Sequence, residues 1–138
     1  MAADSGQLCR AAALHFLEAY WRADLACALG VCAPHAEIDL PQSVSLPSPA
    51  PLAEVLPLIF ANVYPRFVDG TFSIAVERIL SDQRSVVVEY TASGPLVSGR
   101  TFHCRYLVLI EVVDGLVVRF RPYTDTKYID AALFAPPP

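Results

Sequence analysis

The chain has 138 residues, 54% of them hydrophobic and 17% charged, with a net charge of −4. That is apolar material enough for the core of one domain, taken as residues 1–138, and it excludes global disorder. The ten lysines and arginines form no basic stripe, which argues against nucleic acid or an anionic membrane surface as partners.

No apolar run approaches the roughly 20 residues of a membrane helix. Tyr106–Ile110, as long as any, is cut by Glu111. Met1–Gln7 is polar and acidic, unlike a secretory signal, so the expected location is cytoplasmic. Cys9, Cys27, Cys32 and Cys104 make no CxxC and no zinc spacing with a histidine. They read as small buried hydrophobes in a reducing compartment, with no metal site and no cofactor expected.

Along the chain, Asp4–Tyr20 reads as a helix capped by Asp4 or Ser5, with Leu8, Ala12, Phe16, Ala19 and Tyr20 on one stripe. A short helix over Arg22–Leu29 ends near Gly30, and Pro34 stops any continuation. Ala36–Pro41 alternates as a short strand. The following loop runs to Pro51 and, with Pro41, holds four prolines, including Pro47 and Pro49. A third helix is expected over Pro51–Val63, with a later start or a kink at Pro57. Thr71–Leu80, Ser85–Ser93, Arg100–Val113 and Leu116–Thr124 read as strands, the last two joined by the hairpin signal Asp114-Gly115. Lys127–Phe134 reads as a final helical turn. Helices first and an antiparallel meander after them give an α+β fold.

That element order, with Gly99-Arg100 opening the long strand, Asp114-Gly115 in the hairpin and Arg121-x-Tyr123-x-Asp125 closing the last strand, resembles the NTF2-like superfamily, in particular its SnoaL-like members. The resemblance implies an α+β, cystatin-like cone, with N-terminal helices on a strongly bent antiparallel or mixed sheet enclosing a pocket. It also implies a homodimer through the outer face of the sheet. It does not fix an activity, because the fold hosts isomerases, cyclases, hydrolases and non-catalytic binders.

The spacing from Gly99 to Gly115 looks like that of limonene epoxide hydrolase. In that register Cys104, Tyr106, Val108 and Ile110 face the pocket, with Val118, Phe120, Pro122 and Thr124 from the last strand. Val87, Glu89 and Thr91 join them from the preceding strand. On the early strand Pro41 sets the register and points in Glu37 and Asp39, and on the first helix Phe16 and Tyr20 lie one turn apart on the same face. The hydrolase Asp-Arg-Asp set is replaced by Thr91, Glu89 and Pro122, and the cyclase acid/base position is also Pro122. The steroid-isomerase positions look like Phe16, Leu40 and Leu109, so all three roles are empty, although a one-residue slip brings Asp39 to the base position.

Acidic groups in an apolar pocket have raised pKa values and suit acid–base catalysis. Glu89, with Asp39, is therefore the candidate catalytic pair. Tyr20, Phe16, Glu37, Thr91, Tyr106, Val108, Phe120 and Pro122 are candidate binding residues for a small, mostly apolar, oxygenated ligand. Tyr106 offers a hydroxyl for a substrate oxygen. The plainer alternatives are that Glu89 pairs with an arginine across the sheet, that Glu37 and Asp39 meet solvent, and that the chain binds a hydrophobic molecule without chemistry.

Overall fold

The structure, a computed structural model, describes residues 5–136 apart from Ser45 and Pro47. The expected cap Asp4, the loop residue Pro47 and the terminal Pro137 and Pro138 lie outside the described residues. Helix α1 (Ser5–Trp21) buries Cys9, Ala13, Phe16 and Leu17, which recur at three- and four-residue steps along one face. Ala23 reverses the chain at φ 54°. Asp24 then caps α2 (Leu25–Gly30) by accepting from the Cys27 amide at 3.1 Å.

Strand β1 (Cys32–Ile38) begins earlier than the sequence pattern indicates. Pro34 does not stop it, because the β1–β6 pairing is irregular between Cys32 and Glu37, where no ladder bond is needed from Pro34. A two-residue strand β2 (Ala50–Pro51) leads directly into α3 (Leu52–Asn62). The helix runs on through Pro57, which removes the donor for one backbone carbonyl. Its apolar face, Leu52, Val55, Leu56 and Ile59, is buried. A short 3-10 turn at Tyr64–Arg66 follows.

Strands β3 (Ser73–Ser81), β4 (Ser85–Pro95), β5 (Thr101–Val113) and β6 (Leu116–Thr124) form the meander. Among the described residues the sheet has six strands in the order β2-β1-β6-β5-β4-β3, with β1 parallel to β6 and the other neighbours antiparallel. Asp114 and Gly115 both take positive φ, 52° and 76°, as a two-residue hairpin requires. Helix α4 (Thr126–Ile129) is capped by Asp125 and continues as a wider π turn over Asp130–Phe134.

The core fills the space between the helices and one face of the sheet. Phe16 and Tyr20 of α1 both meet Phe120 of β6, with ring centroids 5.0 and 5.1 Å away. Val86, Val88, Phe102, Val108, Ile110 and Phe120 are buried on the same sheet face. Of the four cysteines, Cys9 and Cys104 are buried and Cys32 is half-buried. Cys27 is exposed, contrary to expectation, because α2 turns that side to solvent.

Candidate functional site

Beside this core the inner face of the sheet is left partly uncovered, and a cavity of about 630 Å³ opens there. Tyr106 of β5, Pro122 and Thr124 of β6 and Tyr20 of α1 form its floor. Leu58, Ile59 and Asn62 of α3 form one side, the loop residues Leu40, Pro41, Val44 and Leu46 another, and Ile129, Leu133 and Phe134 a third. Arg66 and Asp130 are the charged residues on its wall among the described residues.

The C-terminal wall is strapped in place by two arginines. Arg66 donates to the carbonyls of Asn62 (2.7 Å) and Leu133 (2.8 Å), and its guanidinium lies 4.5 Å from the Phe134 ring centroid. Arg100 donates to the carbonyls of Ala131 (2.8 Å), Ala135 (3.3 Å) and Pro136 (2.7 Å). Cations thus satisfy carbonyls that a helix end leaves unpaired. On the opposite rim the hydroxyls of Ser43 and Thr126 meet at 2.6 Å, joining the loop to α4.

Behind the floor lies a second, much smaller chamber of about 40 Å³, lined by aromatic side chains that include Trp21, Tyr64, Phe67, Phe72, Tyr90 and Phe102. Tyr20, Val63 and Tyr106 line both spaces. Tyr90 and Tyr106 stack nearly parallel, 5.0 Å apart and 6° from coplanar. Burial pushes the Tyr20 phenol up to about 12. Burial, together with neighbouring tyrosines, holds Tyr64 and Tyr106 well above the usual phenol range, and burial raises Tyr90 likewise. These groups stay protonated, so they are hydrogen-bond donors and not bases. Tyr64 already donates to the Tyr20 carbonyl at 2.6 Å. The Cys104 thiol is also raised by burial and contacts the Thr124 hydroxyl at 3.1 Å. Among the described residues no group of three His, Cys, Asp or Glu side chains gathers to hold a metal.

The structure moves the expected acids out of the cavity. Directly opposed residues of an antiparallel pair share a face. Val88 faces Val108, Tyr90 faces Tyr106 and Ala92 faces Cys104, so it is the even-numbered residues of β4 that point inward. Glu89 and Thr91, expected inside, lie on the outer face. Glu89 is half-buried opposite Leu107 and Arg78 and makes no ion pair among the described residues. Thr91 donates to Glu77 at 3.0 Å.

The early strand is corrected in the same way. Ala36 and Ile38 are buried, which turns Glu37 and Asp39 outward to Arg119 (4.0 Å) and Arg121 (3.5 Å). Asp39 also accepts from the Ser48 hydroxyl at 3.2 Å, and that hydroxyl accepts from the Leu40 amide at 2.6 Å, so the carboxylate shapes the loop. On β6 a bulge beside Val112 places Val117 inside and leaves Val118, expected inside, as the extra residue.

Tyr20, Tyr106 and Pro122 line the cavity. Phe16, Val108 and Phe120 are fully buried beneath it and belong to the core instead of the wall. Arg66, Asp130 and Trp21 were not candidates in the sequence. Arg66 follows an expected helix and Asp130 sits in an expected helical turn, and neither position carries a motif.

A family model of the SnoaL-like domain matches residues 13–120. The chain belongs to the SnoaL-like family. Solved structures agree on the fold of this SnoaL-like protein. A protein provisionally assigned as a SnoaL-like polyketide cyclase, from Jannaschia sp. CCS1, superposes with a TM-score of 0.76 at 18% identity, covering 99% of each chain. An NTF2-like protein from Burkholderia pseudomallei gives 0.76 at 20% identity, covering 93% of this chain and 98% of its own. TerC, co-crystallised with polyporic acid, gives 0.76 at 18% identity, covering 93% and 99%. At these identities the likeness is one of fold: an α+β, NTF2-like arrangement on an open mixed sheet. No curated protein matches the sequence. No helix among the described residues is long and apolar enough to cross a membrane.

Proposed function

We propose that this SnoaL-like protein binds a small, mostly apolar, oxygenated molecule in the cavity, whose floor offers neutral tyrosine hydroxyls in place of the expected Glu89 and Asp39 carboxylates. The observation that carries this reading is the division of the sheet. A hollow of about 630 Å³ lined by Tyr20, Tyr106, Pro122 and aliphatic side chains lies on one face, while Glu37, Asp39 and Glu89 lie on the other. Such a volume, mostly apolar with a few polar groups, is typical of small-molecule sites. The co-crystallisation of TerC, of the same fold, with polyporic acid fits this reading. A thermal-shift screen of apolar oxygenated compounds tests it: binders recovered chemically unchanged support it, and a screen in which none raises the melting temperature counts against it.

Proton-transfer chemistry of the cyclase or isomerase kind is the second reading. It is favoured by Asp130, a carboxylate on the wall of the cavity that Tyr106 also lines, and by the Jannaschia neighbour of the same fold that is provisionally assigned as a polyketide cyclase. If a bound compound is consumed, Asp130→Asn separates the readings. Lost turnover with retained binding assigns the base, and unchanged turnover removes Asp130 from the chemistry.

The outer face supports a homodimer. Leu80, Leu107 and Tyr123 are 57%, 45% and 51% exposed there, an apolar group beside the ion pairs of Arg119 and Arg121. Solution mass tests this, and a monomer at micromolar concentration speaks against it.

A further inference from the structure

The inner chamber contains a polar group that its apolar walls leave unexplained. The indole Nε1 of Trp21, the last residue of α1, is shielded from solvent and makes no hydrogen bond among the described residues. Trp21 packs edge-on against Tyr90, 4.9 Å between centroids and 68° between planes. Its N–H lies near enough to the Tyr90 hydroxyl to oppose the upward shift of that phenol, without reaching hydrogen-bond geometry. A buried donor whose neighbouring acceptor lies outside hydrogen-bond geometry is costly and uncommon, and its persistence needs a reason.

The chamber gives that reason. It measures about 40 Å³, and a water-sized group needs about 10–15 Å³, so there is room for one small group and not for a ring. It meets the large cavity at Tyr20, Val63 and Tyr106. A molecule lying in the large cavity can therefore extend one small group inward past Tyr106. The chemistry of that group is restricted. An indole N–H only donates, so the group must accept. The tyrosines around it keep their protons and can either donate or accept, so they admit such a group. No cationic side chain lines the chamber, so an entering carboxylate would be buried without compensation.

We propose that Trp21 is a ligand-binding residue whose indole N–H receives a neutral carbonyl oxygen, so that the protein binds ketone-bearing apolar molecules with the carbonyl held at Trp21. This rests on the binding reading above.

The probes are methyl naphthyl ketone and its hydrocarbon isostere isopropenylnaphthalene, in which C=CH₂ replaces C=O. Trp21 is the single tryptophan of the chain, so its indole N–H gives one signal in a nitrogen–proton correlation spectrum. Both probes should bind, the ketone at least as tightly despite its greater desolvation, and only the ketone should move the indole proton downfield. Trp21→Phe should weaken the ketone about 5- to 10-fold and leave the hydrocarbon within about twofold. If that variant does not fold, the indole signal of the unaltered protein decides. An indole proton that the bound ketone leaves unmoved overturns the assignment of Trp21 while the hydrocarbon still reports the cavity. Failure of both probes to bind overturns the assignment and the binding reading together.

Discussion

The two faces of the sheet divide the chemistry of the molecule between them. The inner face carries Tyr106, Pro122 and Thr124 above a core of Val88, Val108 and Phe120. The outer face carries Glu37, Asp39, Glu89, Glu111, Arg119 and Arg121, with the arginines between the acids as ion pairs. Successive side chains on a strand point opposite ways, so a group one position along a strand belongs to a different environment. Acidic groups in a SnoaL-like sequence are therefore not by themselves evidence of an acid–base site. Here Glu37 and Asp39 pair with arginines on the outside of the sheet, and Glu89 lies on that face without an ion pair among the described residues.

The largest expected effect comes from placing the same charge on each face. Val108 is fully buried and its neighbour Leu107 is 45% exposed. Val108→Asp should cost about 4 kcal/mol or more, enough to unfold a marginal domain. Leu107→Asp should leave the chain folded and weaken only the proposed self-association. Circular dichroism and urea unfolding of the pair check this, and similar losses for both would break the division of faces.

Alkaline pH tests the inner face, together with the Cys32 thiol, which burial also pushes up to about 12. Burial holds the Tyr20 phenol at about 12 in the folded protein, against about 10 for a free phenol. The unfolded chain therefore releases this proton first, and above pH 10 the native state holds more protons. The stability tied to Tyr20 is complete below about pH 10 and is lost as pH rises toward 12, a fall on the order of 2–3 kcal/mol. Burial raises Tyr90 and Tyr106 in the same direction. Denaturant midpoints measured across this range should decline steadily. A flat profile would mean that the phenols are solvated.

The strap at the rim should give a smaller, local effect. Arg100→Ala removes the donors to Ala131, Ala135 and Pro136. Amide exchange in α4 and the turn after it should speed up roughly tenfold while the strands stay protected. Equal acceleration across the sheet would contradict a local role. The smallest effects belong to the outer acids. Glu89→Gln should change stability by less than about 0.5 kcal/mol and probe binding not at all. Arg119→Ala should cost under about 1 kcal/mol, because its partners lie 4.0 and 3.6 Å away and all three side chains are over a third exposed.

Much of the fold was legible in the sequence. The strand pattern, the Asp114-Gly115 hairpin and the amphipathic first helix each follow from local chemistry, and the SnoaL-like motifs fixed the architecture. The site was less legible, and the reason is specific. The alternation within β4 sets Val86, Val88, Tyr90 and Ala92 against Ser85, Val87, Glu89 and Thr91, and in β1 Ala36 and Ile38 against Glu37 and Asp39. Burying the apolar set is the cheaper choice, and the structure takes it. A register carried over from a distant relative pointed the other way and was wrong by one residue. Asp130, Arg66 and Trp21 carry no local signal, because the cavity wall is assembled from segments far apart in the chain.

The most direct test maps a bound hydrocarbon probe onto the two faces. With isopropenylnaphthalene added, amide signals of Val63, Tyr106 and Leu133 should move, and those of Glu37, Glu77 and Arg78, whose side chains border the outer face or the far edge strand, should stay fixed. Shifts concentrated at Glu37, Glu77 and Arg78 would put the ligand on the acidic side and contradict the account.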